Sequence, residues 1–231
     1  MQLKLSGEGL AGADGFGICP EALAMVAGEI RSVHALGVQL GVTIGGGNLL
    51  RGAVFARRSQ VSEAAAHYMG MLATVMNAVA LQEALEGAGV PARVMSALQV
   101  SSICETFVRH RCLRYFQKGY VVVMAGGTGR PFVTTDTAAA LSAVEVGADA
   151  LLKATQVDGV FSADPRKDPG AVLYRTLTHD QVINQRLKVM DLSAVDLCQA
   201  ARMPIVVFNL HKRGNIRRVV TGAAVGTLVR P

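Results

Sequence analysis

The segment that decides the fold runs from Tyr120 to Gly147 and reads YVVVMAGGTGRPFVTTDTAAALSAVEVG. It begins with a run of apolar residues that is typical of a strand buried on both faces of a parallel sheet. A glycine-rich turn follows, and the residues from Asp136 onward have the composition of a helix that ends at a glycine. A buried strand, a glycine loop and a helix in this order predict one unit of an α/β fold.

The same alternation extends in both directions along the 231-residue chain. Short apolar runs predict five further strands, in MQLKLSG, VQLGVTI, PARVMSAL, ADALLKA and PIVVFNL. Helices are expected from Pro20 to about Leu36, from Ser62 to Ala88, through the basic segment that ends at Lys118, and in LSAVDLCQAAR. This pattern predicts a single domain, residues 1–231, with a mostly parallel central sheet and helices on both faces.

Composition narrows the class of protein. Apolar residues make up 51% and charged residues 17%, which is typical of a compact globular chain. A formal charge of +6 suits either nucleic acid or an enzyme of phosphorylated substrates. In the most basic stretch, Arg111, Arg114 and Lys118 are expected on the solvated face of a helix, and no basic patch interleaved with aromatic residues is present. We therefore expect no requirement for nucleic acid.

The cysteines and the apolar runs bear on the compartment. Cysteines stand at positions 19, 104, 112 and 198, without a CxxC pair or a histidine at zinc-finger spacing. We expect reduced thiols, as in cytoplasmic proteins, and no metal held by the protein alone. The N-terminal apolar run is too short for a signal peptide, and no membrane span is expected.

Ligands of parallel sheets bind beyond the carboxyl ends of the strands, and four loops leave the predicted strands there. The first follows Lys4, whose ammonium group can point along a cleft or, on an edge strand, into solvent. The second contains Gly45, Gly46 and Gly47, and then Asn48 and Arg51. Glycines permit positive φ and close approach to the backbone, so beside a guanidinium group they favour an anion site, and a flexible turn is the alternative.

The third and fourth loops carry hydroxyl, carboxylate and ammonium groups. Thr134 or Thr135 is expected to cap the helix that has Asp136 in its first turn, and a helix N-terminus is also an anion site. Lys153 lies on an apolar strand, where its charge is costly to bury without an anion. Asp164 precedes a proline, as a turn residue or as a ligand of a hydroxyl group.

These loops bring two lysines, an arginine, backbone amides and carboxylates to one edge of the predicted sheet. Such a set of groups suits phosphoryl transfer, in which positioning and charge neutralisation dominate over covalent catalysis. Mg²⁺ bound with a donor nucleotide would complete the balance of charge. The sequence therefore predicts an enzyme that holds two anionic substrates together.

Eight segments, in order along nearly the whole chain, carry a resemblance to a known family. They are LKLSGEGL, GGGNLLRG, YMGMLATVMNAVALQEALE, GTGRPFVTTDTAAA, ADALLKATQVDGVFSADPRKDP, LKVMDLSAVDLC, PIVVFNL and GTLV. With them the chain resembles the bacterial UMP kinases of the amino-acid-kinase family. The resemblance implies a three-layer αβα sandwich and ATP-dependent phosphorylation of UMP to UDP in pyrimidine nucleotide biosynthesis, by in-line transfer without a covalent intermediate.

The same resemblance implies partners and effectors. The donor would be ATP with Mg²⁺, and the enzyme would be cytoplasmic and often a homohexamer. GTP would activate it and UTP would inhibit it, with Arg93 as a candidate effector residue. The N-terminal part of the domain would mainly bind UMP and make the oligomer contacts, and the C-terminal part would mainly bind ATP.

Individual site residues follow from the resemblance, position by position. The implied ATP-binding set is Lys4, Leu5, Ser6, Gly7, Gly47, Arg51, Thr155, Phe161 and Asp164. The implied UMP-binding set is Gly46, His67, Thr128, Gly129, Arg130, Pro131, Phe132, Val133, Thr134 and Thr135. The residues expected to act on charge at the transfer centre are Lys4, Arg51, Asp136, Lys153 and Asp191.

Two positions depart from the family pattern. His67 stands where the family usually has an aspartate that holds the uridine ribose, so we expect UMP binding that is weaker or more dependent on pH. A histidine that faces solvent at the start of a helix is the alternative. Arg130 replaces a common asparagine, and it either reaches the acceptor phosphate or faces water.

Other interpretations stay open from the sequence. A kinase of the same fold that acts on a carboxylate or carbamate is one, although the GTGRPFVTTD loop argues against it. A catalytically silent nucleotide-binding or oxoanion-storage protein is another, and it would be expected to lack some of the charged residues that are all present. In the helix from Ser62, the stripe of Met69, Leu72, Met76, Val79 and Glu83 is expected to be core or a subunit contact.

Overall fold

The computed structural model describes residues 1–165 and 167–231, and strands and helices alternate along them. The strands are β1 (Gln2–Leu5), β2 (Gly41–Ile44), β3 (Ala92–Ser96), β4 (Glu105–Thr106), β5 (Val121–Ala125), β6 (Leu151–Thr155), β7 (Thr176–Thr178), β8 (Ile205–Asn209) and β9 (Thr227–Arg230). The α-helices are α1 (Pro20–His34), α2 (Gly52–Arg57), α3 (Glu63–Gly87), α4 (Arg109–Gln117), α5 (Thr135–Val146), α6 (His179–Asn184), α7 (Leu192–Ala200) and α8 (Asn215–Val220). A 3-10 turn, Gly7–Leu10, follows β1.

The described strands form one sheet in the order β4-β3-β5-β2-β1-β6-β8-β9-β7. Neighbouring strands are parallel throughout, except that β8 and β9 are antiparallel. The predicted mostly parallel α/β fold is confirmed. Because β1 lies between β2 and β6 in the middle of the sheet, the alternative that Lys4 lies on an edge strand is wrong.

Side chains alternate along β1 and so separate the two helical layers. Leu3 and Leu5 are fully buried in a core that α1, α3 and α8 also line. Lys4 points to the opposite face, where it meets α5. On that face α4, α5, α6 and α7 cover two further apolar clusters. The period of two residues along β1 therefore places one ammonium group on the α5 side of the sheet.

The start of α5 is fixed by local hydrogen bonds. The Thr134 hydroxyl accepts hydrogen bonds from the backbone N–H groups of Asp136, at 3.1 Å, and Thr137, at 3.4 Å. It satisfies two of the donors that a helix N-terminus leaves without an intrahelical partner. The helix ends at Gly147, which has a φ of 70°. Of the two predicted caps, Thr134 is the one the structure uses.

Six short elements, α2, α6, α8, β4, β7 and β9, lie in segments for which the sequence predicted no element. Each has two to six residues, so it presents too few side chains to show a helical or strand period. The clearest local signal belongs to α6, where Thr178 and Gln181 form a capping box. The remaining predicted elements are present, with ends shifted by a few residues.

Helix α3 is long and apolar enough, by length and composition, to cross a membrane. Its residues Val75, Ala78 and Leu81 are buried in the core between the sheet and α1, so it is placed as a core helix of the sandwich. Met69 and Met76 are 39% and 59% exposed, and Leu72 is 47% exposed. The interpretation of the stripe as core is therefore wrong for these three residues, whereas Val79 packs against the core. A subunit contact stays a prediction.

Candidate active site

A buried carboxylate lies between two buried ammonium groups at the carboxyl end of the central strands. Lys4 on β1 and Lys153 on β6 are register partners on neighbouring parallel strands. The Nζ atoms of Lys4 and Lys153 lie 2.7 Å and 2.6 Å from the two carboxylate oxygens of Asp136 in the first turn of α5. The side chains of all three are 9–14% exposed. Lys153 Nζ also donates to the Val189 carbonyl at 2.5 Å.

The electrostatics of this triad, Lys4–Asp136–Lys153, favour a charged arrangement. Burial alone would raise the pKa of Asp136, but the ammonium groups of Lys4 and Lys153 outweigh it and hold that pKa below its usual range. Burial lowers the pKa of Lys153, and the attraction of Asp136 only partly opposes this shift. One carboxylate balances one of two positive charges, so the triad carries a net positive charge that suits an anion.

Asp191 ties the start of α7 to the start of α5. Its Oδ2 atom accepts hydrogen bonds from the hydroxyl groups of Thr134, at 2.5 Å, and Thr137, at 2.7 Å. Although it holds the N-cap position of α7, its side chain makes no capping hydrogen bond there. Asp191 therefore positions the loop and first turn that carry Asp136.

The glycine triplet after β2 is required by close approach within the protein. A Cβ atom on Gly46 would stand 2.7 Å from the Gly70 carbonyl and 3.0 Å from the Thr74 nitrogen, both backbone atoms of α3. A Cβ on Gly45 would stand 3.0 Å from the Gly7 nitrogen. None of the three glycines has a positive φ, so close approach of other backbone atoms, and not left-handed backbone, is what requires glycine here. Helix α3 and the loop after β1 leave no room for side chains.

Two buried asparagines hold this loop, and the sequence-based interpretation missed one of them. Asn48 and Asn77 are at most 1% exposed and exchange two hydrogen bonds, of 2.7 Å and 3.1 Å, between their amide groups. Asn77 also donates to the Gly45 carbonyl at 2.7 Å, and Asn48 to the Gly17 carbonyl at 2.7 Å. The available signal for Asn77 was a polar residue within the apolar run of α3.

Arg51 forms an ion pair with Glu8, a residue to which the sequence analysis assigned no role. Its Nη2 atom donates to the Glu8 carboxylate, and the Arg51 side chain is 63% exposed. Burial raises the pKa of Glu8, but hydrogen bonds and the charge of Arg51 outweigh it and leave that pKa lowered. Glu8 follows Ser6 and Gly7 directly, so an acid within the first loop was the signal. Because only Nη2 contacts Glu8, other N–H groups of this exposed guanidinium stay available to a phosphate.

Three adjoining clefts open at this edge of the sheet, and we name them by the residues that line them. The His67 cleft, of about 700 Å³, lies between α2, α3 and the loop after β5. The lysine cleft, of about 370 Å³, contains Lys4 and Lys153. The Phe161 cleft, of about 490 Å³, lies over the loop after β6. Arg51 lines both the His67 cleft and the lysine cleft, so it marks their junction.

Most of the implied UMP-binding set lies in one place. The residues of that set that line the His67 cleft are Gly46, His67, Arg130, Phe132, Val133, Thr134 and Thr135. Thr128, Gly129 and Pro131 are outside its lining. The His67 ring is 20% exposed and its Nδ1 atom accepts the Phe132 N–H, so the alternative of a solvent-facing histidine is wrong.

The implied ATP-binding set divides between the other two clefts. Lys4, Ser6, Arg51 and Thr155 line the lysine cleft, where Lys153 of the transfer-centre set also lies, and Phe161 and Asp164 line the Phe161 cleft. Gly47 instead lines the His67 cleft.

Two residues of the implied ATP-binding set lie beneath the clefts rather than in their lining. Leu5 is 1% exposed in the core, and a Cβ on Gly7 would stand 2.2 Å from Asn48 Oδ1. Lys188 was not among the residues predicted from the sequence, and it lines both the lysine cleft and the Phe161 cleft.

A divalent cation would depend on a bound nucleotide here. Within residues 1–165 and 167–231, no three His, Cys, Asp or Glu side chains converge to hold a metal ion. Asp136, the carboxylate closest to the lysines, already contacts both ammonium groups. The oxygens of nucleotide phosphates and water, which Mg²⁺ prefers, would have to supply most of its ligands.

Together, the parallel αβα sheet and the cationic clefts at its carboxyl edge define a phosphotransferase of the kinase class. The model of the amino acid kinase family matches residues 3–209, and the chain belongs to that family. The three-layer arrangement implied by the resemblance is confirmed.

Relatives point to one branch of the family. A uridylate kinase from Paramagnetospirillum magneticum is 53% identical over 227 residues, which cover 98% of this chain and 94% of the relative. The crystal structure of a UMP kinase from Bacillus anthracis matches with a TM-score of 0.96 at 36% identity, over 99% of this chain and 94% of that one. A UMP kinase from Ureaplasma parvum matches with a TM-score of 0.93 at 31% identity, over 100% and 97%.

Proposed function

We propose that this chain is a UMP kinase, which transfers the γ-phosphoryl group of ATP to UMP and releases ADP and UDP. The observation that carries the proposal is the buried Lys4–Asp136–Lys153 triad beside the junction of the clefts. Relatives named uridylate kinase or UMP kinase, at 31–53% identity over nearly the whole chain, support UMP as the acceptor.

The donor occupies the lysine and Phe161 clefts in this proposal. The triphosphate lies against Lys4 and Lys153, whose ammonium groups offset the charge that moves during transfer. The base and ribose lie near Phe161 and Asp164. Mg²⁺ bound with ATP supplies further neutralisation of the phosphate charge. Asp136 contacts no substrate in this arrangement and keeps both lysines in place.

The acceptor occupies the His67 cleft. Its volume of about 700 Å³ suits a nucleoside monophosphate. Arg51, at the junction, is placed to contact phosphate from either side with the N–H groups that do not contact Glu8. An oxygen of the UMP phosphate attacks the γ-phosphorus in line, and the bridging oxygen leaves with ADP. The side chains orient the two phosphates and offset their charge, and no protein nucleophile takes part.

The proposal also covers the oligomeric state, the regulation and the cellular location of the protein. The exposed stripe of Met69, Leu72 and Met76 on α3 supports a homo-oligomer, for which we propose a hexamer. Activation by GTP and inhibition by UTP would involve Arg93, which pairs with Glu86 at 2.8 Å. Four cysteines outside disulfides support a cytoplasmic location. The N-terminal part of the domain mainly supplies the acceptor cleft and the oligomer contacts, and the C-terminal part mainly the donor clefts.

A coupled assay of ADP formation with Mg-ATP tests the proposed function. UMP, CMP, acetylglutamate and carbamate are offered in turn at equal concentration. We expect kcat/KM for UMP to exceed that for each of the others by at least about 100-fold, since a pocket built for one polar base rejects others strongly. A preference for acetylglutamate or carbamate would instead identify a kinase of the same fold with a carboxylate or carbamate acceptor.

A further inference from the structure

The imidazole of His67 contacts the loop after β5 through a direct hydrogen bond. Its Nδ1 atom accepts the backbone N–H of Phe132 at 2.8 Å. The two rings also meet edge to face, with centroids 4.9 Å apart and an interplanar angle of 74°. Because Nδ1 is the acceptor, the neutral ring carries its proton on Nε2. The sequence separation of 65 residues makes this a tertiary link between α3 and the loop.

Phe132 has a backbone conformation that needs support. Its φ is 66°, and only two other described residues that are not glycine, Arg186 and Arg202, have a positive φ. Left-handed backbone is unfavourable for a residue with a Cβ atom, most of all for a bulky one. The Phe132 side chain is 65% exposed, so its own packing does not hold the backbone in place. The contact with His67 is therefore the main observed restraint on this residue.

The conformation of Phe132 sets the course of the loop around the His67 cleft. Arg130 and Val133 on either side line that cleft. Two residues after Phe132, Thr134 caps α5, and Asp136 in the same turn holds both lysines of the triad. A change in the Phe132 backbone would therefore alter the lining of the His67 cleft directly. It would affect the triad less, because Asp191 also holds the start of α5 in place.

We propose that His67 is a positioning residue, which holds Phe132 in its left-handed conformation and so orders the acceptor loop before a nucleotide binds. The imidazole acts through the loop backbone with Nδ1 and leaves Nε2–H for other contacts. The order of this loop in the nucleotide-free protein does not depend on which reaction the protein catalyses. The effect of that order on UMP binding rests on the proposed function.

Two substitutions separate the acceptor atom from the shape of the side chain. His67→Asn keeps an oxygen at the same number of bonds from the backbone as Nδ1, and His67→Leu keeps the branching at Cγ without any acceptor. His67→Ala serves as a second variant without an acceptor. His110→Leu, at an exposed position of α4, is the matched control for a histidine-to-leucine change.

The first measurement is hydrogen–deuterium exchange of the peptide that covers residues 128–135, in the protein without nucleotide. Loss of a hydrogen bond of this kind shifts the equilibrium between the closed and the locally opened loop by about three- to tenfold. We expect exchange to be faster by about that factor in His67→Leu and His67→Ala, and within about twofold of the parent in His67→Asn and His110→Leu. Exchange in His67→Leu or His67→Ala equal to that in the parent would overturn the proposal, whatever reaction the protein catalyses.

The second measurement is steady-state kinetics. We expect His67→Leu to raise the KM for UMP by about three- to tenfold with kcat and the KM for ATP nearly unchanged, and His67→Asn to restore the KM for UMP. Equal KM values for the leucine and asparagine variants would overturn the role of the acceptor atom. If UMP proves not to be the substrate, the exchange measurement still decides the role of His67, so failure of the proposed function is distinguishable from failure of this proposal.

Discussion

The lysine cleft and the His67 cleft hold their charged groups in different ways. In the lysine cleft, Lys4 and Lys153 project from the two central strands, are 9–13% exposed and share one carboxylate. In the His67 cleft, Arg51 and Arg130 stand on loops or helix ends and are exposed to solvent. One side of the site is therefore rigid and buried, and the other is adaptable and open.

This difference matches two demands of phosphoryl transfer. Charge that develops in a transition state is stabilised best by groups that need no reorganisation when the reaction occurs. Strand-borne lysines held by Asp136 satisfy that demand. A nucleotide acceptor must enter and leave, and loops that close over it suit this step. We therefore expect substitutions in the triad to lower kcat most, and substitutions on the acceptor side or at Arg51 to raise KM values.

The largest effect is expected from Asp136→Asn. The change leaves two buried ammonium groups without their carboxylate, so kcat should fall by about 10³-fold and the free energy of unfolding by about 3–5 kcal/mol. The coupled assay and urea denaturation measure the two quantities. Asp196→Asn, at an exposed position of α7, is the control. A variant with normal kcat would show that the lysines are positioned without Asp136.

Replacement of one lysine is expected to have the next largest effect. Lys153→Met removes one ammonium group and keeps most of the buried volume, so we expect kcat to fall by about 10²-fold while both KM values stay within about threefold. Steady-state kinetics with UMP and ATP varied separately provide the measurement, with Lys118→Met on the exposed end of α4 as control. A rise in KM with kcat unchanged would show that Lys153 acts in binding, and it would contradict the expected difference between the two clefts.

Arg51→Met is expected to act mainly on binding. The Arg51 guanidinium group is 63% exposed and paired with Glu8, so it should stabilise the transition state less than a buried cation does. We expect the KM for ATP to rise by about tenfold and kcat to fall less than in Lys153→Met. Isothermal titration with a non-hydrolysable ATP analogue checks the binding step directly. Unchanged affinity for the analogue would place Arg51 outside the donor contacts.

The smallest effect concerns the pH dependence of stability at the start of α6. His179, the first residue of α6, is 1% exposed, and burial lowers its pKa below 6.5. The unfolded chain therefore binds this proton more readily, so the stabilising effect of the neutral ring is full above pH 6.5 and is lost as the pH falls toward the folded pKa.

Unfolding titrations between pH 5 and 7 measure this effect. The stability of the parent should fall with acidification by at most about 1.4 kcal/mol per pH unit from this group, and His179→Asn should remove that part of the slope. His110→Asn, at an exposed position, should keep it. Identical slopes for the parent and His179→Asn would contradict the assignment.

The sequence predicted the parts of the site that depend on strand order and local pattern. Apolar runs and their carboxyl-end loops were enough to bring Lys4, Lys153 and Asp136 to one edge, because parallel strands share that edge. Residue type and position limited the cap of α5 to Thr134 or Thr135, and the structure shows that it is Thr134.

The remaining features depend on contacts between distant segments. The Arg51–Glu8 and His67–Phe132 links span 43 and 65 residues, and no local period or propensity encodes them. The glycine triplet shows the same limit. Its residues indicated close approach to the backbone, but the sequence did not predict that the approaching group at Gly46 is the backbone of α3.

The most direct test of the central claim is a crystal structure with UMP and a non-hydrolysable ATP analogue bound together. The account predicts the γ-phosphoryl group within hydrogen-bond distance of Lys4 and Lys153 and the UMP phosphate in the His67 cleft. The attacking oxygen should lie about 3–3.5 Å from the γ-phosphorus. A complex in which both nucleotides are bound but the terminal phosphate lies away from both lysines would contradict it.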